Sequence, residues 1–222
     1  MNNYFIGIMT GTSADSLDGC IVSFDKKFEF IDSLSIDFDS TYKKNYEECI
    51  NKGYKKADES KELSNLEEIL NEKTIQLIND LLKKSKIDIA NISSISLSGQ
   101  TVFHTNEMSY QIGNPDCIAD EFKVNVFSNF RNFDIKNGGF GAPLIPAFHK
   151  YLYSEINKEK VIFNIGGIAN GTYLKGNEIY LASDVGPGNC LIDKVANKEL
   201  GLPFDKGGNF ARKGNLIHTL LA

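Results

Sequence analysis

Two glycine turns with small polar residues, a few carboxylates near strand ends and one arginine in a glycine-rich setting are the residues of this sequence whose types and spacing suit chemistry. Thr10, Gly11, Thr12 and Ser13 follow an apolar run. Glycine there lets backbone N–H groups approach an anionic oxygen closely, and the hydroxyls add donors, so Thr10 to Ser13 is a candidate phosphate cradle. A tight hairpin also wants glycine, so the same residues suit a plain turn. Asp15 and Asp18 nearby could hold metal-associated water or sugar hydroxyls, or brace the turn. Asn164, Gly166 and Gly167 repeat the glycine pattern later in the chain, and a pair of such turns could grip a polyphosphate whose charge Mg²⁺ bridges. Asp184 stands before Val185-Gly-Pro-Gly-Asn189, at the expected C-terminal end of a strand with a helix N-terminus to follow. That placement suits a general base near an anion, and equally an Asp that caps the helix. Gln100 and Thr101, after Gly99, offer polar groups suited to carbohydrate. Arg131, beside Phe130, could clamp a carboxylate with two hydrogen bonds or pair with Asp134.

These residues need strand ends and turns to hold them. Tyr4–Met9, Gly19–Phe24 and Phe28–Ile36 are rich in β-branched and aromatic residues and separated by turn formers, which predicts a β-meander. A polar stretch, Asp37 to Glu59, comes next. Leu63, Leu66, Leu70, Leu77 and Leu81 then recur at helical spacing, and Ile92–Leu97 follows as a short apolar run. Strand, long helix, strand predicts a crossover onto one sheet, hence a mixed α/β fold. Asn125 to Pro146 crowds in Asn137, Gly138, Gly139, Gly141, Pro143 and Pro146, and reads as a functional loop or interdomain segment without helix. Strands at Val161–Ile165, Thr172–Leu174 and Ile179–Ser183 then repeat the opening plan, with helices predicted at Leu191–Leu200 and Asn215–Leu221. Two copies of one plan would form a cleft. The expected division is 1–145 and 146–222, with the second copy short of crossover strands and an apolar tail in need of cover.

Composition narrows the class. The chain has 222 residues, 41% of them hydrophobic, with 24 Lys+Arg against 29 Asp+Glu and a formal charge of −5. That is a globular composition, long enough for one large or two small domains. The acidic balance argues against a nucleic-acid partner. No apolar run approaches the roughly 18 to 20 residues of a bilayer span, and no basic, then apolar leader opens the chain, so a cytoplasmic protein is expected. Cys20, Cys49, Cys117 and Cys190 form no Cys-x-x-Cys pair, and His104, His149 and His218 lack ligand spacing. No metal held only by side chains is expected.

Seven segments in order, GIMTGTSADSLD, SGQTVFH, QIGNPD, FRNFDIKNGGFGAPLIPAFH, NIGGIAN, DVGPGNCLID and FDKGGNFA, resemble those of the anhydro-N-acetylmuramic acid kinases, from Gly7 to the end of the chain. The resemblance implies the actin-like ATPase (ribonuclease H-like) fold of two duplicated α/β lobes, the second incomplete here. It implies ATP and Mg²⁺ as cofactors, and hydrolytic phosphorylation of 1,6-anhydro-N-acetylmuramic acid to N-acetylmuramic acid 6-phosphate in bacterial peptidoglycan recycling. Asp184 falls on the catalytic aspartate. Thr10, Gly11, Thr12, Ser13, Asn164, Gly166 and Gly167 fall on the phosphate side, and Asp15, Gln100, Thr101, Arg131, Gly186 and Asn189 on the sugar side.

A homodimer is expected, with no nucleic-acid or membrane partner. Ser98, Asn129 and Phe133 stand where the family usually has histidine, aspartate and a basic residue, and Ser16 where glycine is common. Family members also continue into a glycine-rich segment that contacts adenosine. Two other functions stay open: a truncated, catalytically silent relative that binds sugar or forms dimers, and a kinase for a different sugar. The 222 residues alone are expected to turn over ATP weakly or not at all.

Overall fold

Alternation of apolar and small residues builds the first sheet. In the computed structural model, which describes residues 3–56 and 60–220, β1 (Tyr4–Thr10) pairs antiparallel with β2 (Ser16–Ser23), and β2 with β3 (Glu29–Asp37). Ile6 and Ile8 of β1 and Leu17 and Ile21 of β2 are buried. Helix α1 (Ser40–Lys52) and helix α2 (Lys61–Ser85) follow, and then β4 (Ile92–Leu97), which lies parallel to β1 with Gly7 opposite Ser96. The strand-helix-strand crossover expected from the sequence is present, and α2 packs on β2 and β3.

Helix α2 owes its position to one stripe. Leu63, Leu66, Leu70, Leu77 and Leu81 are all buried, each burial contributing about 1.5–3 kcal/mol. Ser60 caps the helix by accepting from the Leu63 N–H. Gly19 of β2 lets the helix approach, since a Cβ there would meet Leu77 Cδ2 at 3.0 Å.

The polar stretch after β3, to which the sequence assigned no element, holds α1. Asp39 accepts from the Tyr42 N–H, Gly53 closes the helix in the left-handed region, and Tyr42, Tyr46 and Cys49 bury one face. The stretch reads as polar because the inward-facing residues, Phe38, Tyr42, Tyr46 and Cys49 with Ile50 and Tyr54 partly buried, are spaced among charged neighbours. A hairpin of β5 (Gln100–His104) and β6 (Ser109–Ile112) follows β4, then α3 (Pro115–Phe122) and the short β7 (Val126–Phe127), which pairs parallel with β4. The sheet order is β3-β2-β1-β4-β7. One expectation is overturned in Asn125 to Pro146, where helix α4 (Phe130–Lys136) forms before the glycines begin. The Gly/Pro cluster ends that helix; it does not exclude one.

The chain divides into two compact units, 1–142 and 143–222. In the second, α5 (Pro146–Tyr153) packs on an antiparallel sheet of β8 (Glu159–Ile165), β9 (Ile168–Lys175) and β10 (Glu178–Pro187), in the order β10-β9-β8, before helix α6 (Cys190–Leu200). His149 of α5 is bonded through Nδ1 to Thr172 Oγ1 of β9 at 2.9 Å. The three-strand plan of β1–β3 thus appears twice, which is the mixed α/β, actin-like arrangement expected. In the first unit β4 occupies the free edge of β1; among the described residues no strand occupies the equivalent edge of β8. Val161, Phe163 and Ile165 of β8 and Leu181 and Val185 of β10 are exposed. The helix predicted at Asn215–Leu221 is absent over its described part: only a 3₁₀ turn, His218–Leu220, forms, and Leu221 lies outside the described residues. Leu216 and Ile217 are exposed, so no packing rewards a helix there.

Candidate functional site

In the first unit, the β1–β2 connection carries the first glycine turn. Thr10 is buried, and its hydroxyl donates to the Ser16 carbonyl at 2.8 Å, so it closes the turn from within. Ala14 N–H donates to Gly11 O at 3.2 Å. Thr12 and Ser13 are exposed at the tip; the Thr12 hydroxyl is open to a ligand, whereas that of Ser13 serves Asp15. Asp15 sits 2.6 Å from Lys43 Nζ of α1. Partial burial pushes its carboxyl upward, but hydrogen bonds from Lys43 and Ser13, with the lysine's charge, outweigh this and hold it below the usual range. Lys43, which the sequence did not single out, therefore neutralises one acid beside the turn.

The Gly99–Thr101 segment is held from behind. Gly99 adopts φ +67°, where a Cβ would come within 2.6 Å of the Ile112 carbonyl oxygen, so only glycine fits. Gln100 is fully buried; its Oε1 accepts from Tyr42 Oη at 2.5 Å, and its Nε2 has no partner among the described residues. Thr101 gives its carbonyl to Tyr46 Oη at 2.5 Å and is itself half-buried. Both tyrosines come from α1, one turn apart. Burial raises the Tyr42 phenol, with Tyr46 adding to it; burial pushes Tyr46 up to about 12 although Arg131 opposes this. Both remain neutral donors at physiological pH. Tyrosines at spacing four in a charged stretch were the sequence signal for this support.

Arg131, in the first turn of α4, is half-buried and has no carboxylate within ion-pair distance among the described residues. Asp134, its expected rival partner, instead accepts from the Gly141 N–H at 2.8 Å and braces the glycine loop. Burial lowers the Arg131 guanidinium while Tyr46 raises it, with a net lowering. His104, bonded to Ser109 Oγ at 3.1 Å, is held below the usual histidine range by burial and by Arg131. Asn132 pins β6 from the same helix, through Ser109 N at 2.8 Å and Ser109 O at 2.7 Å. The first unit also has an open trough of about 560 Å³, lined by Met9, Asp18, Ser35, Ser98 and Phe130 among others. Asp18 accepts there from Ser35 Oγ at 2.6 Å.

In the second unit the register aligns three polar residues. Asn164 of β8 pairs with Asn170 of β9, and Asn170 with Asp184 of β10, so the three form one row across the sheet. Directly paired residues share a face, with Cβ atoms about 4.5–5.5 Å apart. Asn170 was not among the sequence candidates, although it closes the NIGGIAN segment. Asp184 is exposed; it lies within β10, which continues to Pro187, with a register shift between Asp184 and Gly186. Gly166 and Gly167 form the β8–β9 turn.

The start of α6 is not a free anion site. Gly188 N–H donates to Gly167 O at 2.9 Å, Asn189 N–H to Gly166 O at 2.7 Å and Cys190 N–H to Gly167 O at 3.3 Å. The donors expected to face an anion are therefore engaged by the neighbouring glycine turn, and the side chain of Asn189 donates to Ile165 O at 3.1 Å.

The donor sets fit a phosphorylated ligand better than a directly bound metal. The exposed Thr12 hydroxyl in the first unit and the Gly166–Gly167 turn in the second are groups of the kind that can donate to phosphate oxygens. Among the described residues no group of three or more His, Cys, Asp or Glu could hold a metal ion, so Mg²⁺ would depend on phosphate oxygens and water. No helix among the described residues is long and apolar enough to cross a membrane.

Comparison with known proteins agrees with the sequence resemblance. The chain is 38% identical over 226 residues to an anhydro-N-acetylmuramic acid kinase of Shewanella pealeana, covering 99% of this chain and 60% of that protein. It is 40% identical over 227 residues to the enzyme of the same name from Shewanella putrefaciens, covering 100% and 61%. The chain thus spans about three fifths of the length of these relatives. Among solved structures, it is similar to the Aquifex aeolicus Ppx/GppA phosphatase, with a TM-score of 0.41 at 12% identity over 87% of this chain and 55% of that one. It is also similar to the ethanolamine utilization protein EutJ of Carboxydothermus hydrogenoformans, with a TM-score of 0.41 at 10% identity over 93% and 60%. The family model for anhydro-N-acetylmuramic acid kinase matches residues 3–222, and the chain belongs to that family.

Proposed function

We propose that this chain carries the general base and the sugar-side polar groups of an ATP-dependent kinase that converts 1,6-anhydro-N-acetylmuramic acid to N-acetylmuramic acid 6-phosphate in the bacterial cytoplasm. In this reaction the water oxygen bonds to C1, the C1–O6 bond breaks, and O6 takes the γ-phosphoryl group, releasing ADP. Asp184 accepts the water's proton. The observation that carries the reading is the row Asn164–Asn170–Asp184, which sets a carboxylate on the strand beside the β8–β9 pair that the Gly166–Gly167 turn joins. Thr12 offers its hydroxyl to phosphate oxygens in the first unit. Arg131, with no carboxylate partner among the described residues, suits the acidic group of the sugar. Mg²⁺, when bound through phosphate, would neutralise charge there.

The exposed residues Val161, Phe163, Ile165, Leu181 and Val185 favour a second reading, a silent relative whose second unit serves association. Phosphate transfer to the anhydro sugar, assayed for this chain and for the native protein after its intact mass is measured, separates the two. The kinase reading expects a native mass above that of the 222 residues, with transfer falling about 10²–10⁴-fold in Asp184→Asn. It expects transfer near background for the 222 residues alone. A native mass equal to this chain with no transfer would leave the association reading.

A further inference from the structure

The loop after β10 grips the glycine turn through four donors. Gly188, Asn189 and Cys190 give their N–H groups to the Gly166 and Gly167 carbonyls, and Asn189 Nδ2 reaches the Ile165 carbonyl at 3.1 Å. Three consecutive carbonyls, 165 to 167, are thereby tied to the start of α6. The approach is close enough that a Cβ on Gly188 would overlap the Gly166 carbonyl oxygen, so position 188 requires glycine.

A trans peptide points its C=O and N–H in opposite directions. With Gly166 O directed at Asn189 N, the N–H of Gly167 is turned away from α6, free to meet a ligand oxygen. The family resemblance assigned Asn189 to the sugar, but its side-chain donor is engaged within the protein.

We propose that Asn189 is a positioning residue for the phosphate turn: it latches Ile165–Gly167 to α6, aims the Gly167 N–H, and thereby governs binding of a nucleoside triphosphate and not of the sugar. The identity of that ligand rests on the kinase reading above; the latch itself does not. Because Asp184 lies only five residues before Asn189 on the same strand and loop, the latch also ties the carboxylate and the phosphate turn into one piece.

The test uses Asn189→Ala, Asn189→Asp, which keeps the size but cannot donate to Ile165 O, and Gly188→Ala, which pushes the loop off Gly166 without altering Asn189. Amide hydrogen exchange, read together with calorimetric titrations of MgATP and of anhydro-N-acetylmuramic acid, separates the latch from its ligand. Exchange at positions 188–190 is expected to quicken at least about tenfold in each variant, the loss of about 1.4 kcal/mol of local protection, with α2 unchanged. MgATP affinity is expected to fall about tenfold with sugar affinity unchanged, a split that a general loss of structure would not produce. Unchanged exchange overturns the latch. A fall in sugar affinity with nucleotide affinity intact overturns the assignment and returns Asn189 to the sugar. The titrations are made on the native protein as well as on this chain: nucleotide uptake by the native protein that Asn189→Ala leaves unchanged overturns the ligand assignment, and native protein that takes up neither ligand overturns the kinase reading while exchange still decides the latch.

Discussion

Tyr42 donates its hydroxyl to Gln100 Oε1 at 2.5 Å, across 58 residues of sequence. The bond occupies the acceptor end of a fully buried amide and leaves Nε2 without a partner among the described residues. Tyr46, one turn later, holds the Thr101 carbonyl in the same way, so α1 braces the strand start that the sequence marked as a ligand segment.

Removing that hydroxyl isolates the amide. Tyr42→Phe is expected to destabilise the first unit by about 1–3 kcal/mol, because a buried polar group loses its partner without replacement. Urea unfolding with an unchanged m-value checks this, and a loss below a few tenths would show that Gln100 finds another partner.

Gly99→Ala forces an L side chain into φ +67° and onto the Ile112 carbonyl. A loss of about 1–3 kcal/mol is expected, measured by the same unfolding curve, whereas Gly53→Ala, with open space around it, has only the backbone term.

The Asp15–Lys43 pair gives a pH dependence with a definite sign. The folded Asp15 carboxyl titrates below its unfolded value, which is near 3.9. Its contribution is thus present above that pH and is lost as pH falls through the lower folded value. Both partners are substantially exposed, at 43% and 65%, so the contribution is about 0.5 kcal/mol or less after solvent screening. Asp15→Asn should therefore be slightly less stable than wild type at pH 7 and indistinguishable from it near pH 2. A difference that grows on acidification would contradict the assignment.

The bare apolar positions of the second unit predict association. Light scattering of the 222-residue chain should show a mass that rises with concentration, and Phe163→Ser with Leu181→Ser, both about 60% exposed in wild type, should shift the midpoint more than tenfold upward. A monodisperse monomer at all concentrations would show that these side chains find no partner.

The sequence by itself determined the elements whose signal is local. The leucine spacing of α2 and the apolar run Ile92–Leu97 are written in the sequence because those residues are buried, and the repeated strand-turn-strand plan because β-branched and aromatic runs alternate with turn formers. The ordered segments that place the chain in its family are likewise linear. Helix α1 was hidden because its buried residues are only Tyr42, Tyr46 and Cys49, set among charged neighbours, and the final predicted helix failed because Leu216 and Ile217 are left exposed. Which donors are free was decided only by tertiary structure. Thr10 and Asn189 carry donors suited to a ligand, yet both turn them on carbonyls of their own chain, while Arg131 is not paired with Asp134, three residues away. Hydrogen bonding depends on distance and direction between atoms, and strand register and helix docking set these across segments far apart in sequence. For that reason Asn170, silent as a letter in the chain, enters the row between Asn164 and Asp184 only once β8, β9 and β10 are paired.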